Sequence, residues 1–189
     1  MYVYGDSRIY AYNLTTYTAY LFDNSEIYAY DSKSYELHSY DNSEIWAINS
    51  TVTAYPTIHD QSKIYVCWYL DVHVTDSIDQ DVPSANVTAI YPNASTAESK
   101  PTDSDGWARL TLMEKMMNAT GQYPVGNYTV EATYGVYSNT TTVNMTENKQ
   151  FTLRLEDFVI PEFHTLIILS LFITVMLLAA IIYRRRHTM

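Results

Sequence analysis

An internal repeat of eighteen residues is the feature that most restricts how this chain can fold. A six-residue segment with Ile in third place and an aromatic residue in fourth begins at Ser7, Ser25 and Ser43, and again, one residue late, at Ser62. A second strand-like segment recurs at residues 17–22 and 35–40. A fixed short period of this kind indicates a solenoid, in which successive copies stack on one another. We therefore predict a β-solenoid over residues 1–67.

Alternation within each copy assigns its two faces, because successive side chains of a strand point to opposite sides. The predicted interior is small and apolar, and consists of Ile9, Ala11, Ile27, Ala29, Ile45, Ala47, Ile64 and Val66. The opposite face also takes in Ile48 and Cys67, and its aromatic members should form ladders of rings: Tyr10, Tyr12, Tyr28, Tyr30, Trp46 and Tyr65. Aromatic rings stack on sugars, so this face is a candidate ligand surface; architecture alone explains it equally well.

These repeats resemble the right-handed parallel β-helix repeats of microbial surface proteins and of carbohydrate-active β-helix proteins. The resemblance covers about a third of the chain and depends on periodicity, not on a catalytic motif. The first residues, Met1–Asp6, have neither a basic region nor an apolar run, and so do not resemble a signal peptide. We expect that further coils lie upstream in a longer product.

From Trp68 onward the pattern changes to short alternating strands separated by turns. The predicted strands span residues 69–76, 86–91, 107–113, 127–134, 138–145 and 150–155. Such a series is typical of a β-sandwich. The motifs Val72-x-Val74-Thr75-Asp76, Val82-Pro83-Ser84-Ala85-Asn86-Val87, Thr102-Asp103-x-Asp105-Gly106-x-Ala108-x-Leu110 and Pro124-x-Gly126-Asn127-Tyr128-Thr129-Val130-x-Ala132 resemble a carboxypeptidase-regulatory-like or immunoglobulin-like domain. For residues 68–156 this resemblance implies a non-catalytic module that spaces, stiffens or binds.

Residues 165–183 form an apolar run of nineteen residues without a charge, and three arginines follow it: Arg184, Arg185 and Arg186. At about 1.5 Å per residue a helix of this length spans roughly 28 Å, close to the thickness of the hydrocarbon core of a bilayer. A basic cluster stays on the cytoplasmic side of a membrane. The sequence therefore predicts a single transmembrane helix, a cytoplasmic tail at residues 184–189 and an extracellular remainder.

The linker at residues 157–164 carries Pro161, Glu162 and Phe163 directly before this apolar run. This three-part layout resembles the C-terminal sorting signal of archaeal surface proteins that an archaeosortase processes. The resemblance implies that such an enzyme removes the helix and that a lipid replaces it. The alternative is a proline-containing linker before a permanent anchor.

Asparagine usage points to the same side of the membrane. Eight of the eleven Asn residues open an Asn-x-Ser/Thr acceptor triplet for N-glycosylation: Asn13, Asn49, Asn86, Asn93, Asn118, Asn127, Asn139 and Asn144. Such triplets are acceptors only in a translocated protein. A turn vocabulary rich in Thr and Asn explains part of the excess, but the agreement with the predicted topology favours glycosylation.

Composition argues against several functions. With 21 acidic residues against 11 basic ones, the surface repels nucleic acid, and no nucleic-acid partner is expected. The single cysteine, Cys67, allows no internal disulfide. The five histidines are scattered, and no nucleophile or phosphate-binding motif is present, so we predict neither a transition-metal site nor an enzyme.

Two acidic clusters are candidates for calcium, which prefers six to eight oxygen ligands. They consist of Asp76, Asp79 and Asp81 in one turn and of Asp103 and Asp105 in another. Neither cluster has the spacing of a known calcium loop, and Asp is an ordinary turn residue. We therefore expect no cofactor, with calcium as the less favoured alternative.

Together these features predict an all-β, non-catalytic, membrane-anchored surface protein of archaeal type with a structural or adhesive role. Its candidate partners are the membrane, a processing enzyme, cell-surface glycans and neighbouring surface proteins. A competing hypothesis is the C-terminal part of an extracellular polysaccharide lyase or hydrolase with its active coils upstream; Glu26 and Glu44, one coil apart, would be its paired carboxylates here. A third is a tail-anchored protein facing the cytoplasm, which predicts unmodified asparagines.

Overall fold

The computed structural model describes residues 1–52, 56–160, 174 and 176. Two compact units are distinguished, residues 1–158 and residues 159–189, and the first holds every strand of the described part. No helix among the described residues is long and apolar enough to cross a membrane. Pro161, Glu162, Phe163, the three arginines of the tail and the predicted helix, apart from Thr174 and Met176, lie outside the described residues.

The first unit is all-β, and its strands form a five-stranded, a seven-stranded and a four-stranded sheet. In chain order the strands are β1 (Tyr2–Val3), β2 (Arg8–Tyr12), β3 (Thr15–Leu21), β4 (Glu26–Tyr30), β5 (Lys33–Ser39), β6 (Glu44–Ile48), β7 (Thr51–Val52), β8 (Thr57–Ile58), β9 (Lys63–Thr75), β10 (Asn86–Ile90), β11 (Thr96–Pro101), β12 (Trp107–Asn118), β13 (Gly121–Pro124), β14 (Asn127–Tyr134), β15 (Tyr137–Asn144) and β16 (Lys149–Arg154).

Residues 1–67 form the stacked coils of a β-solenoid, as the repeat predicts. Each coil gives one strand to the five-stranded sheet, with β1, β3 and β5 paired in parallel, and one strand to the seven-stranded sheet, with β2, β4, β6 and the start of β9 paired in parallel. The register follows the repeat, because Ile9 pairs with Ile27, Ile27 with Ile45, and Ile45 with Ile64. The copy that is one residue late keeps its register through a turn that is one residue longer.

The interior of the coils is narrow and apolar, and the predicted inward face is confirmed. Ile27, Ile45 and Ile64 are buried, and they pack with Ala19, Leu21 and Leu37 from the five-stranded sheet. Ile9, in the first coil, is only partly buried. Each isoleucine therefore contacts its counterparts in adjacent coils, and this column continues from coil to coil.

The turns between the coils repeat as regularly as the strands do. Asp23, Asp41 and Asp60 all have left-handed backbone conformations, with φ of 60°, 58° and 55°. Asp tolerates this conformation better than most residues, because its short side chain forms local hydrogen bonds. The Asp41 carboxylate accepts a hydrogen bond from the Asp23 backbone N–H at 3.0 Å, and the Asp60 carboxylate accepts one from Asp41 at 3.3 Å. The turn residues of neighbouring coils are thus tied together by their side chains.

One long strand joins the coils to the second half of the unit. The first residues of β9 pair in parallel with β6, its last residues pair in parallel with β16, and β12 runs antiparallel along nearly its whole length. Ile64, Val66, Leu70, Val72 and Val74, at alternate positions of β9, are all buried. The seven-stranded sheet therefore presents one continuous buried face, and the predicted boundary after Cys67 falls inside a strand.

The second half of the unit adds the four-stranded antiparallel sheet, in the order β11-β10-β14-β15. Side-chain hydrogen bonds connect this sheet to the seven-stranded one: the Tyr128 hydroxyl donates to the Met113 carbonyl at 2.7 Å, and the Asn139 amide to the Arg154 carbonyl at 2.8 Å. Ala108, Leu110 and Leu112 are buried, as their alternation predicts, and so are Val130 and Ala132 of the other sheet.

Two strands of this half were not predicted, and one is longer than expected. β11 is polar and mostly exposed, and β13 is exposed throughout, so neither has an apolar alternation to indicate it. β12 continues to Asn118 instead of ending at Met113. An irregularity between Met113 and Lys115 shifts its register against β9, and a β-bulge of this kind interrupts the alternation on which a sequence-based boundary depends.

Candidate ligand face

The six predicted aromatic residues lie together on the outer face of the seven-stranded sheet. We call this group the ladder face. Its first column runs from Tyr10 to Tyr28, Trp46 and Tyr65, with ring centroids 5.2, 6.0 and 4.1 Å apart, and its second column pairs Tyr12 with Tyr30 at 4.8 Å. The parallel register of the strands places each ring directly beside its counterpart in the next coil.

The rings stack nearly in parallel, with interplanar angles between 4° and 22°. Each inner ring therefore has both faces in contact with another ring and presents its edge to solvent. Tyr10 and Tyr12, in the first coil, are 54% and 64% exposed, whereas Tyr28 and Trp46 are half-buried. Ring faces for stacking on a sugar are thus most accessible at the end of each column.

The second column does not continue as the alternation predicts. Ile48 and Cys67 follow Tyr30 in register, but they are 6% and 3% exposed, so their prediction as outward residues is wrong. Burial also raises the pKa of the Cys67 thiol to about 12. A thiol in that state is a poor nucleophile, because the reactive species is the thiolate.

Further along β9, Tyr69 carries a cation on its ring. The Arg109 guanidinium lies 4.9 Å from the Tyr69 ring centroid, and two hydrogen bonds of 2.7 and 2.9 Å join it to the Asp71 carboxylate. Burial raises the pKa of Tyr69, and Asp31, Tyr30 and Tyr12 add a smaller electrostatic effect in the same direction. This aromatic and charged group therefore lies near the second column of the ladder face.

The five-stranded sheet carries a second set of ladders that the sequence analysis missed. One runs from Tyr2 to Tyr20 and His38, with centroids 4.8 and 4.5 Å apart, another from Tyr4 to Phe22, Tyr40 and His59, with spacings of 4.9, 5.1 and 4.8 Å, and a third pairs Tyr17 with Tyr35 at 5.1 Å. The signal was available, since most of these rings also recur every eighteen residues. Aromatic stacking is therefore a property of both outer surfaces of the solenoid.

The two carboxylates that a glycoside hydrolase would need in these coils are engaged with neighbouring side chains. Glu26 accepts a hydrogen bond of 2.7 Å from Arg8, and this bond lowers the pKa of Glu26. Glu44 accepts a hydrogen bond of 3.2 Å from the Tyr65 hydroxyl and has the Lys63 ammonium at 3.9 Å. Glu26 is therefore stabilised as a carboxylate, whereas a general acid must hold its proton.

Each acidic cluster that was a candidate for calcium includes a carboxylate that organises a turn. Asp76 is fully buried, and its carboxylate accepts hydrogen bonds of 2.9 Å from the backbone N–H groups of Ile78 and Gln80. Asp79 is paired with Arg154, and Asp81 with His73. The Asp103 carboxylate binds the backbone N–H groups of Asp105 and Trp107 at 3.0 and 2.9 Å. Within the described ranges, no group of three or more His, Cys, Asp or Glu residues is placed to hold a metal ion.

The eight acceptor asparagines differ in how far their side chains are engaged. Asn49 donates to the Asp31 carboxylate at 2.5 Å and accepts from Asn148, and half-buried Asn139 donates to the Arg154 carbonyl. Exposed Asn93 and half-buried Asn118 instead accept hydrogen bonds from the residue two positions on, which is the Ser or Thr of the triplet. Exposed positions are also found for Asn13, Asn86, Asn127 and Asn144.

No protein family model matches the chain, and no curated protein matches it. Partial similarity is found to three solved structures. They are the Bacillus anthracis TIE protein (TM-score 0.40, 18% identity, 56% of this chain and 20% of that one), the minor pilin GBS52 of Streptococcus agalactiae (0.33, 16%, 57% and 53%) and catechol 1,2-dioxygenase from Pseudomonas arvilla C-1 (0.35, 13%, 66% and 59%). The matched region spans less than two thirds of each of these proteins, and similarity of this extent says nothing about activity or partners.

Proposed function

We propose that the protein is a non-catalytic, extracellular surface protein with a structural or adhesive role. The observation that carries this proposal is β9, which belongs to the coils at one end and to the second half of the unit at the other. Backbone hydrogen bonds therefore run through the junction without an intervening linker. An arrangement of this kind suits a protein that must hold a surface at a fixed distance and resist force.

We assign the second half to a non-catalytic β-sandwich of the immunoglobulin-like or carboxypeptidase-regulatory-like type. Support comes from its antiparallel four-stranded sheet, its alternating buried residues and the motifs of residues 72–132. In this proposal the second half is the stalk, and the coils are the part presented to the surroundings.

For location, we propose a single-pass membrane anchor or a sorting signal of archaeal type at the C-terminus. The support is the sequence: an uncharged run at residues 165–183, the arginines after it, and the Pro161-Glu162-Phe163 motif before it. The acceptor asparagines agree with an external location.

The adhesive part of the proposal concerns the ladder face. Its end rings, Tyr10 and Tyr12, have the most accessible ring surface, and the inner rings offer edges and hydroxyl groups. Cell-surface glycans or neighbouring surface proteins are the partners that such a surface suits, because tyrosine combines apolar area with a hydrogen-bonding group.

A peptide map of the native protein from the membrane fraction tests location. We expect glycans on Asn93 and Asn118, with unmodified Asn49 and Asn139 as internal controls because their amide groups are engaged. Absence of every peptide beyond Phe163 indicates processing, and an intact tail with glycans indicates a permanent anchor. Bare asparagines throughout, with an intact arginine tail, would reverse the topology and refute the surface assignment.

Single-molecule stretching tests the structural role separately. Because β9 is shared, we expect the coils and the second half to unfold in one cooperative event when residues 1 and 158 are pulled apart. Two well-separated force peaks, one for each half, would mean that the junction does not transmit load, and the proposed role would then fail.

A further inference from the structure

A groove of about 490 Å³ crosses the second half of the seven-stranded sheet. It is lined by Asp71, Asp103, Trp107, Arg109 and Gln150. Three adjacent strands supply this set in one row, since Asp71 of β9 pairs with Arg109 of β12 on one side and with Gln150 of β16 on the other. The groove therefore combines an aromatic ring, a guanidinium, an amide and two carboxylates on one surface of a rigid sheet.

The aromatic member of the groove is held in place from two directions. Trp107 stacks on His73, with ring centroids 4.5 Å apart and an interplanar angle of 8°, and His73 is hydrogen-bonded to Asp81 at 2.7 Å. The backbone N–H of Trp107 donates to the Asp103 carboxylate at 2.9 Å. The indole is therefore a fixed platform, and a ligand that stacks on it does not have to order a free side chain.

The polar members are equally organised. Arg109 spends two of its five N–H donors on the Asp71 carboxylate, and its guanidinium lies over the Tyr69 ring. Its side chain is still 60% exposed, so donors remain for a ligand. The exposed Gln150 beside Asp71 adds a group that both donates and accepts.

Charge decides which ligand class fits. The groove is lined by two carboxylates and one guanidinium, which leaves a formal charge of −1, and the chain as a whole carries −10. A uronate or sulfated sugar would be repelled by both. Uncharged hydroxyl groups, in contrast, find donors on Arg109 and Gln150 and acceptors on Asp103 and Gln150.

We propose that this groove is a binding subsite for a neutral oligosaccharide, with Trp107 as the stacking platform and Arg109, Gln150 and Asp103 as hydrogen-bonding partners of its hydroxyls. The inference rests on the proposed adhesive function and deepens it by naming the ligand class. It also gives the surface a fixed indole platform apart from the ladder rings, whose inner members stack on one another. Tyr69, under Arg109, places the groove beside the second column of the ladder face, so a longer chain of sugars reaches both.

The test is titration calorimetry of the full-length protein in a polyoxyethylene detergent, which carries no sugar headgroup. The probes are cellohexaose, mannohexaose and chitohexaose as neutral hexasaccharides, with hexagalacturonate as the charged probe of equal length. We expect at least one neutral hexasaccharide to bind, hexagalacturonate to bind at least tenfold more weakly, and Trp107→Ala to weaken neutral binding at least tenfold.

Matched variants keep the result decisive. Trp107→Phe retains an aromatic platform and should recover part of the affinity, and Gln150→Ala changes an exposed side chain with little risk to folding. Tyr17→Ala removes an aromatic residue, 79% exposed, from the other sheet and should leave binding unchanged.

Two results would overturn the inference. Neutral binding that survives Trp107→Ala and Gln150→Ala but is lost in Tyr10→Ala/Tyr12→Ala would assign the sugar to the ladder face alone and leave the adhesive proposal standing. Failure of all three neutral probes at millimolar concentration would remove the subsite, while the peptide map and the stretching experiment would still decide the surface role independently.

Discussion

Replacing Ile45 by alanine tests the central claim about the coils. Ile45 is 1% exposed and is in register with Ile27 on one side and Ile64 on the other. Losing three buried carbons removes about 2.4 kcal/mol of transfer free energy at ~0.8 kcal/mol for each. The cavity adds to this, because stacked coils held by backbone hydrogen bonds on two sheets cannot collapse into it, and large-to-small core changes cost about 2–5 kcal/mol in total. We therefore expect a loss of about 3–4 kcal/mol in the free energy of unfolding.

The matched control is Ile9→Ala, at the same position of the first coil. Ile9 is only partly buried and has a register partner in one adjacent coil, Ile27, so its replacement should cost less than half as much. Urea unfolding of both variants, followed by tryptophan fluorescence, gives the comparison. Equal losses in the two variants, or a loss below about 1 kcal/mol for Ile45→Ala, would refute the inward assignment of this column.

Three further predictions concern turns, ladders and ionisation. Asp41→Ala should cost about 1–2 kcal/mol, because alanine is strained at a φ of 58° and cannot accept the hydrogen bond from Asp23, whereas Asp41→Gly should cost less than half of that; urea unfolding distinguishes them. Tyr28→Ala removes two ring contacts, worth about 0.5–1.5 kcal/mol each, and should destabilise the protein more than Tyr10→Ala, which removes one; equal effects would mean that stacking contributes nothing. Burial raises the pKa of Cys67 and of Tyr65 to about 12, so the folded state keeps protons that the unfolded chain has already lost. Stability should therefore be complete below about pH 9 and fall as the pH rises toward 12, and Cys67→Ala should flatten the first part of this fall in a series of unfolding curves.

The coils were predictable because a repeat reports the same physics several times. One alternating strand leaves helix and strand ambiguous, but four copies with Ile, an aromatic residue and Ala or Val in fixed order, together with Asp in each turn, admit a single stacked arrangement. The register, the inward column of Ile27, Ile45 and Ile64, and the contacts within the ladder face all follow from the eighteen-residue offset.

The junction could not be predicted in the same way, because nothing repeats there. Val66 to Trp68 reads as the end of one pattern, yet β9 continues to Thr75 and exchanges its parallel neighbour β6 for β16 without a break. That exchange depends on the pairing of Leu70 with Lys149, two residues far apart in sequence. Alternation assigns the face of a residue, but it does not name the strand that will lie beside it.

Stacking also changes what an aromatic repeat implies about function. A sequence with Tyr at every eighteenth position suggests a row of ring faces, but parallel coils turn those faces toward one another, as between Trp46 and Tyr65 at 4.1 Å. The inner rings then stabilise the rod, and ligand contact passes to rings that no neighbouring coil covers. Tyr10 and Tyr12 meet this condition because they lie in the first coil. Trp107 belongs to no ladder, since its stacking partner His73 lies on the neighbouring strand of the same sheet. Architecture and recognition are therefore carried by different aromatic residues of one sheet.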